Sequence, residues 1–263
     1  MSWFEALVLG LIQGVTEFLP VSSTGHLELG KYLFGINPES NFYFSIAVHG
    51  ATVLSTIVVL WKEIIKLIKG LVKFKMNDET NYALKLFVSM IPVAIAGFFL
   101  NDIVESFFTG NMISLGFQFM ITALLLLMTL FIRPKERSIS YFDAFIMGIA
   151  QAIAVLPAIS RSGATIATGM MLGNRKSEIA QFSFLMVLLP VIGANVVEMN
   201  TGGFSTEGTS AIVIIVGFVA AFVSGCFACK LMINLVKKGN LLWFAVYCIL
   251  IGIFSFLLGL HVI

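Results

Sequence analysis

The sequence predicts an all-α integral membrane protein, and three observations support that fold class. Apolar residues make up 59% of the 263 residues and charged residues only 11%, whereas a soluble domain carries about 25% charged residues. The mean hydropathy is +1.00. The apolar residues run in segments of about 20, as in membrane-spanning helices, rather than in the short alternating strands of a β-barrel. This pattern excludes a soluble domain, a disordered chain and a disulfide scaffold.

Along the chain, six segments predict spanning helices and two others are apolar but interrupted. In each interrupted segment an apolar helical half is followed by Leu-Pro and then by a stretch rich in Ser, Gly and Thr. Proline ends a helix, and lipid cannot satisfy the exposed backbone groups. We therefore expect two re-entrant helical hairpins that are buried in protein or line a wet cavity. In chain order the segments are Trp3–Gly30 (interrupted), Phe42–Trp61, Leu84–Leu100, Ser114–Ile132, Tyr141–Gly173 (interrupted), Ile179–Val197, Ala211–Leu235 and Leu241–Leu260.

The basic residues predict the orientation of these segments. Lysine and arginine cluster after the first and third clean spans, before the fourth and after the fifth, and are missing from two other loops, Asn101–Asn111 and Asn200–Ser210. The positive-inside rule places the basic clusters in the cytoplasm. All of them can lie there only if the second interrupted segment, Tyr141–Gly173, enters and leaves the membrane on one side. The parity of the spans then puts the first hairpin on the outer face and the second on the cytoplasmic face.

The two interrupted segments also repeat one another in sequence. Trp3–Ala6 corresponds to Tyr141–Ala144, and Ser22–Gly25 corresponds to Ser160–Gly163. The charge pattern predicts that the two copies enter the membrane from opposite faces. The sequence therefore predicts one membrane domain, 1–263, with inverted halves of approximately 1–132 and 133–263. Inverted repeats with broken helices bring their functional groups together near the midplane, where the hairpin tips meet.

Ionisable and hydroxyl side chains gather at the two predicted tips. Ionisable groups at membrane depth are costly and are therefore functional candidates, which singles out Glu17 and Arg161. The run Ser-Arg-Ser-Gly, opening a helix at about Gly163, is typical of a phosphate site made of backbone N–H groups and a guanidinium fork. The alternatives are a purely structural Glu17–Arg161 bridge and, for His26, a packing role. The candidates are Glu17, Ser23, His26 and Arg161 for catalysis, and Ser22, Thr24, Ser160, Ser162 and Thr165 for substrate binding.

A divalent cation is a further candidate. Gln13 and Glu17 lie four residues apart, on one face of a helix. Oxygen ligands of this kind, facing phosphate, suit Mg²⁺ or Ca²⁺. The alternative is that Gln13 satisfies backbone groups of the broken helix.

At these residues the chain resembles the undecaprenyl-diphosphate phosphatase family of the bacitracin-resistance type. The first family motif appears as Gln13, Glu17 and the run Phe18–His26, and the second as the run Pro157–Thr165. Ala47–Thr52 and Gln181–Leu185 are similar to two further family segments. At one position Ala158 stands where the family usually has glycine. If that position requires a positive φ, alanine strains the turn by roughly 1 kcal/mol or more.

The resemblance implies an enzyme that removes the terminal phosphate from a C55 isoprenyl diphosphate. This reaction recycles the lipid carrier of peptidoglycan and other envelope polymers, and it underlies bacitracin resistance. The resemblance further implies a multi-pass protein of the bacterial plasma membrane whose partners are the lipid substrate and the membrane, with no nucleic acid. We expect the site to open outward. A homo-oligomer and the nucleophile (Ser23, His26 or a metal-bound water) stay open.

Two other functions fit the sequence. One is a secondary transporter or flippase of the lipid carrier, because inverted repeats with broken helices are typical of transporters. The other is a lipid-diphosphate binder that has lost activity.

Overall fold

The computed structural model describes residues 1–36, 42–99, 111–132, 136–156, 158–201 and 210–260. These residues are helical, apart from turns, a short 3₁₀ segment at Thr129–Phe131 and one isolated bridge between Arg137 and Asn174. Pro157 and most of the two loops without basic residues lie outside the described part. The α-helices are α1 (Trp3–Phe18), α2 (Ser23–Leu33), α3 (Phe42–Val59), α4 (Trp61–Leu71), α5 (Asp78–Phe99), α6 (Met112–Met128), α7 (Tyr141–Ile153), α8 (Arg161–Met171), α9 (Lys176–Thr201), α10 (Ala211–Lys238) and α11 (Leu242–Gly259).

The spanning helices confirm the predicted fold class. By length and composition, five of the described helices can cross a membrane: α5, α6, α9, α10 and α11. The count rises to six if α3 and α4, which meet at an angle of 73°, are one broken span. The protein is therefore a multi-pass, all-helical membrane protein.

The basic segment after the first predicted span forms a helix that the sequence does not predict. Trp61–Leu71 forms α4, in which Ile64 and Leu67 pack against the main core while Lys62, Lys66 and Lys69 are exposed. This spacing of three and four residues is that of an amphipathic helix. The next helix, α5, begins at Asp78 rather than at Leu84, because the Asn77 side chain accepts a hydrogen bond from the backbone of Thr80 (2.7 Å).

Each interrupted segment forms two short helices, α1 and α2 in the first and α7 and α8 in the second. α1 and α7 both begin with a capping box, made by Ser2 with Glu5 and by Ser140 with Asp143. The second helix of each pair begins after a serine N-cap, and α8 begins at Arg161 itself, slightly before the expected Gly163. The insertion of these pairs as re-entrant hairpins from opposite faces, and the division into inverted halves, stay predictions.

Glycines place the first helix of each pair against a long helix of the other half. At Gly10 and Gly14, α1 lies so close to α10 that a Cβ atom would meet the backbone of Gly217 and Ala221. At Gly148, α7 is equally close to the backbone of α5. The contact at Gly14 matters most, because Gly14 lies beside Gln13 and within one turn of Glu17.

We expect Gly14→Ala to lower stability by about 1–3 kcal/mol, the usual cost of overpacking a close contact. The added methyl group would meet Ser224 and Ala221 of α10, and the displaced α1 would move Glu17. Thermal unfolding of the purified protein in detergent measures the change. Gly50→Ala is the matched control, because no atom of the described residues lies within 4 Å of a Cβ built at Gly50. Equal melting temperatures for the two variants would contradict this account of α1.

Candidate functional site

An ion pair between Glu17 and Arg161 joins the end of α1 to the start of α8. Glu17 is in the last turn of α1, Arg161 is the first residue of α8, and Nη2 of Arg161 donates to Oε1 of Glu17 at 3.0 Å. The side chains are only 13% and 25% exposed. A second bond joins the turns, from Oγ of Ser162 to the carbonyl oxygen of Leu19 (3.0 Å). The structure therefore brings together the two residues that the sequence singles out most strongly.

The second oxygen of the Glu17 carboxylate binds two residues of the first hairpin. Oε2 accepts from Oγ of Ser23 at 2.5 Å and from Nε2 of Gln13 at 2.9 Å. An alcohol that donates to a partly buried carboxylate is arranged as a nucleophile beside its general base. Ser23 is also the first residue of α2, so it lies at the positive end of the helix dipole.

The N-termini of α2 and α8 both lie beside the ion pair of Glu17 and Arg161. Oγ of Ser22 accepts from the backbone of Gly25 (3.2 Å), and Oγ of Ser160 accepts from the backbone of Gly163 (3.0 Å). The Ser162 hydroxyl is 3.2 Å from that of Ser160. Helix N-termini bind phosphate through their first N–H groups and dipoles, so the pair of capped starts is a suitable anion site.

Ala158 has a positive φ, which is the condition under which alanine strains this turn. Its φ is 59°, which costs a residue with a Cβ about 1–2 kcal/mol. The alanine is fully buried in the apolar cluster that contains Phe119, and burying one methyl group recovers about 0.8 kcal/mol. Thr122 of α6 supports the turn by accepting from the backbone of Ser160 (3.1 Å). Alanine at the family's glycine position is therefore compatible with an intact turn.

Three predicted residues have their polar groups engaged within the protein. Thr165 is fully buried, and its hydroxyl lies 2.6 Å from that of Ser183. Thr24 lies beside Ser22, with the two hydroxyls 3.4 Å apart. Both ring nitrogens of His26 are hydrogen-bonded, Nδ1 to the carbonyl of Ser22 and Nε2 to the hydroxyl of Tyr247, each at 2.7 Å. Their assignments as substrate ligands or catalytic residue stay predictions.

The oxygen donors around Glu17 fit a hard divalent cation in part. Oε1 of Gln13 is buried and has no hydrogen-bond partner among the described residues. With the Glu17 carboxylate it would offer two of the oxygen ligands that Mg²⁺ or Ca²⁺ prefers. The described residues contain no group of three or more His, Cys, Asp or Glu side chains placed to hold a metal. Phosphate oxygens and water would therefore have to complete the coordination.

A pocket opens beside the ion pair, between α3 and α9. Its polar end is formed by Glu17, Arg161 and Ser162 together with Thr52 and Thr56 of α3. The rest is apolar and is lined by Phe18, Val53, Phe184, Val187, Leu188 and Val191.

The two threonines of this pocket are not among the residues that the sequence predicts for the site. His49, Thr52 and Thr56 follow one another at helical spacing along α3. A polar stripe of this kind inside an apolar span is a signal that could have found them.

Comparisons with known proteins agree with this geometry. The sequence model of the family described as bacitracin resistance protein BacA matches residues 6–254. The chain is 53% identical to an undecaprenyl-diphosphatase of Parabacteroides distasonis over 96% of this chain and 97% of the relative. It is 40% identical to the corresponding protein of Thermosipho africanus over 96% and 99% of the two chains. For the protein of the same name from Methanococcus vannielii the identity is 38%, over 95% and 98%. The chain therefore belongs to the BacA family of bacitracin resistance proteins.

Proposed function

We propose that the chain is an undecaprenyl-diphosphatase that converts a C55 isoprenyl diphosphate to the monophosphate and phosphate. The observation that carries the proposal is that one carboxylate at the pocket between α3 and α9, Glu17, binds both the Ser23 hydroxyl and the Arg161 guanidinium. A nucleophile, its base and an anion clamp are then present at one point. Relatives of 38% to 53% identity that carry this enzyme's name support the same reaction. In a bacterium it would recycle the envelope lipid carrier at the plasma membrane.

In the proposed reaction, Ser23 attacks the terminal phosphorus. Glu17 accepts the hydroxyl proton while the new O–P bond forms and the anhydride P–O bond breaks, so the electron pair leaves with the lipid monophosphate. Arg161 and the N–H groups that begin α2 and α8 stabilise the charge on the transferring phosphoryl group. The proton on Glu17 passes to the departing lipid monophosphate, which leaves the carboxylate ionised. Glu17 then takes a proton from the water that attacks the phosphoserine, and it returns this proton to the Ser23 oxygen as the serine O–P bond breaks and phosphate is released. His26 suits the role of nucleophile less, because both of its ring nitrogens are already engaged.

A divalent cation would be held by Glu17 and Gln13 if the reaction uses one. When bound, it would supply positive charge that neutralises the diphosphate. The support for this part of the proposal is the unpartnered Oε1 of Gln13 beside the carboxylate.

Purified protein in detergent tests the proposed function directly. We expect phosphate release from C55 isoprenyl diphosphate, measured with Mg²⁺, with Ca²⁺ and with a chelator. A transporter would instead move the lipid monophosphate between the leaflets of sealed vesicles and release no phosphate in detergent. A protein that binds the diphosphate without releasing phosphate under any of the three conditions would overturn the proposal.

We infer that the apolar part of the pocket receives the isoprenyl chain. It continues from Arg161 between α3 and α9, and its walls carry valine, leucine and phenylalanine side chains. A diphosphate at the polar end would place the first isoprene units along these walls.

Filling this groove should therefore impair long lipid substrates selectively. We expect Val53→Trp to raise KM for the C55 substrate about tenfold or more, because it removes apolar burial worth at least about 1.4 kcal/mol. Hydrolysis of a short, water-soluble prenyl diphosphate should change much less. Leu54→Trp is the control, because Leu54 is the next residue of α3, is 40% exposed and does not line the pocket. A similar KM change in both variants would contradict the groove assignment.

We also propose that the site opens to the outer face of the membrane. The charge distribution places the first hairpin, with Ser23 and Glu17, on that side. A membrane-impermeant thiol reagent should then label Thr24→Cys in intact cells, and a bound diphosphate analogue should protect it, since Thr24 is half-buried beside Ser22. The background should lack Cys226, which is partly exposed. Lys73→Cys, in the predicted cytoplasmic segment, should stay unlabelled until the cells are permeabilised. The reverse labelling pattern would mean that the site opens inward.

A further inference from the structure

The imidazole of His26 is held on three sides, by Ser22 immediately before its own helix and by one residue from each of two other helices. Nδ1 lies 2.7 Å from the carbonyl oxygen of Ser22, and Nε2 lies 2.7 Å from the hydroxyl of Tyr247 on α11. The rings of His26 and Tyr247 are stacked with an interplanar angle of 4°, and Phe119 of α6 meets the His26 ring edge-on. His26 as a whole is 8% exposed. Its orientation is therefore set by its neighbours rather than by solvent.

The partners of His26 also define its tautomer. A carbonyl oxygen only accepts hydrogen bonds, so Nδ1 carries the hydrogen. The partners at both nitrogens are uncharged, and nothing at those positions compensates for a charge on a buried ring, which favours the neutral form. Nε2 of a neutral ring is then an acceptor, and the Tyr247 hydroxyl donates to it. This donation selects the tautomer that can bind Ser22.

The carbonyl that His26 binds belongs to a residue with unusual backbone angles. Ser22 has φ 68° and ψ 102°, and it caps α2 immediately before Ser23. A residue with a Cβ adopts such a conformation only when its surroundings hold it there. The bond from His26 is one such restraint, and it fixes the peptide group that joins Ser22 to Ser23.

We propose that Tyr247 is a positioning residue that acts through His26 on the turn presenting Ser23 to Glu17. The Tyr247 hydroxyl fixes the tautomer of His26, His26 fixes the carbonyl of Ser22, and Ser22 sets the start of α2. In this arrangement His26 contributes through its position and does not attack phosphorus. The inference rests on the proposed phosphatase reaction, in which Ser23 is the nucleophile.

Tyr247→Phe tests the inference, because it keeps the stacked ring and removes only the hydroxyl. We expect kcat to fall about 5- to 10-fold, the range for one neutral hydrogen bond, while KM stays within about twofold because Arg161 and the helix N-termini still bind the diphosphate. Tyr141→Phe is the matched control. Tyr141 is also partly exposed, and its hydroxyl donates to the side chain of Asn81 (3.1 Å) away from the site. The kcat of the Tyr141→Phe variant should therefore equal that of the parent protein.

A chemical measurement separates this role from a merely structural one. Removal of the Tyr247 hydroxyl should free Nε2, so diethyl pyrocarbonate should modify His26 several-fold faster in Tyr247→Phe than in the parent protein. Mass spectrometry can follow His26, with His49 in the same molecule as the internal reference. Unchanged His26 reactivity would overturn the inference, as would faster modification without a fall in kcat. If the parent protein released no phosphate, the proposed function would fail, while the reactivity of His26 would still report on its contact with Tyr247.

Discussion

Arg161→Lys is expected to lower kcat/KM for the C55 diphosphate by at least about 100-fold, the usual effect of losing one directed donor to a developing anion. Lysine keeps the positive charge but cannot bind a carboxylate and a phosphate at once through a planar fork. In the structure one prong of Arg161 is already committed to Glu17 at 3.0 Å. Phosphate release in detergent measures the loss, and the melting temperature verifies that the variant is folded.

Arg175→Lys provides the matched control for that substitution. Arg175 also pairs with a glutamate, Glu178 at 2.9 Å, but this pair is exposed and lies away from the pocket. Exposed pairs contribute about 0–1 kcal/mol, so activity should stay within about twofold. Near-normal turnover in Arg161→Lys would reduce Arg161 to a generic positive charge.

Glu17→Gln is expected to lower kcat by about 1000-fold, within the range attributed to a positioned general base. The amide keeps the size of the side chain but cannot take the proton of Ser23, and it leaves the Arg161 charge without a counterion. Glu63→Gln is the control, because Glu63 accepts a hydrogen bond from the side chain of Gln181 (3.5 Å) and does not line the pocket beside the ion pair. Turnover above about a tenth of the parent value would exclude Glu17 as the base. Recovery of activity at high Mg²⁺ would instead favour a role for Glu17 in holding the cation.

The fold class was predictable because lipid imposes strong constraints on sequence. Segments of sufficient apolar length give α5, α6, α9, α10 and α11, with ends displaced by local caps such as Asn77. α4 was not predicted, because its lysines were interpreted only as a cytoplasmic charge cluster. The positive φ of Ala158 was considered only as a condition, and the structure confirms it.

The candidate site was predictable where the cost of burial identifies a residue. Glu17 and Arg161 stand out because charges inside an apolar sequence require a partner, and the structure pairs them. Tyr247 gave no such signal, since it lies 221 residues from His26 and looks like any aromatic residue of a spanning helix. The engagement of Thr165 with Ser183 likewise depends on the packing of α8 against α9, which spacing along the chain does not reveal.

The glycine contacts of α1 with α10 and of α7 with α5 cross from one half of the chain to the other. A rocking motion of the halves, as in alternating access, would pull each short helix away from the backbone it touches and would separate Glu17 from Arg161 in every cycle. Hydrolysis requires the opposite property, a site whose reacting groups keep their spacing through many turnovers.

The same contacts between the halves predict fragment complementation. Residues 1–132 and 133–263, produced as separate chains, would each expose a glycine face that only the other can cover. Activity should then appear when the two are co-expressed and be missing from either alone.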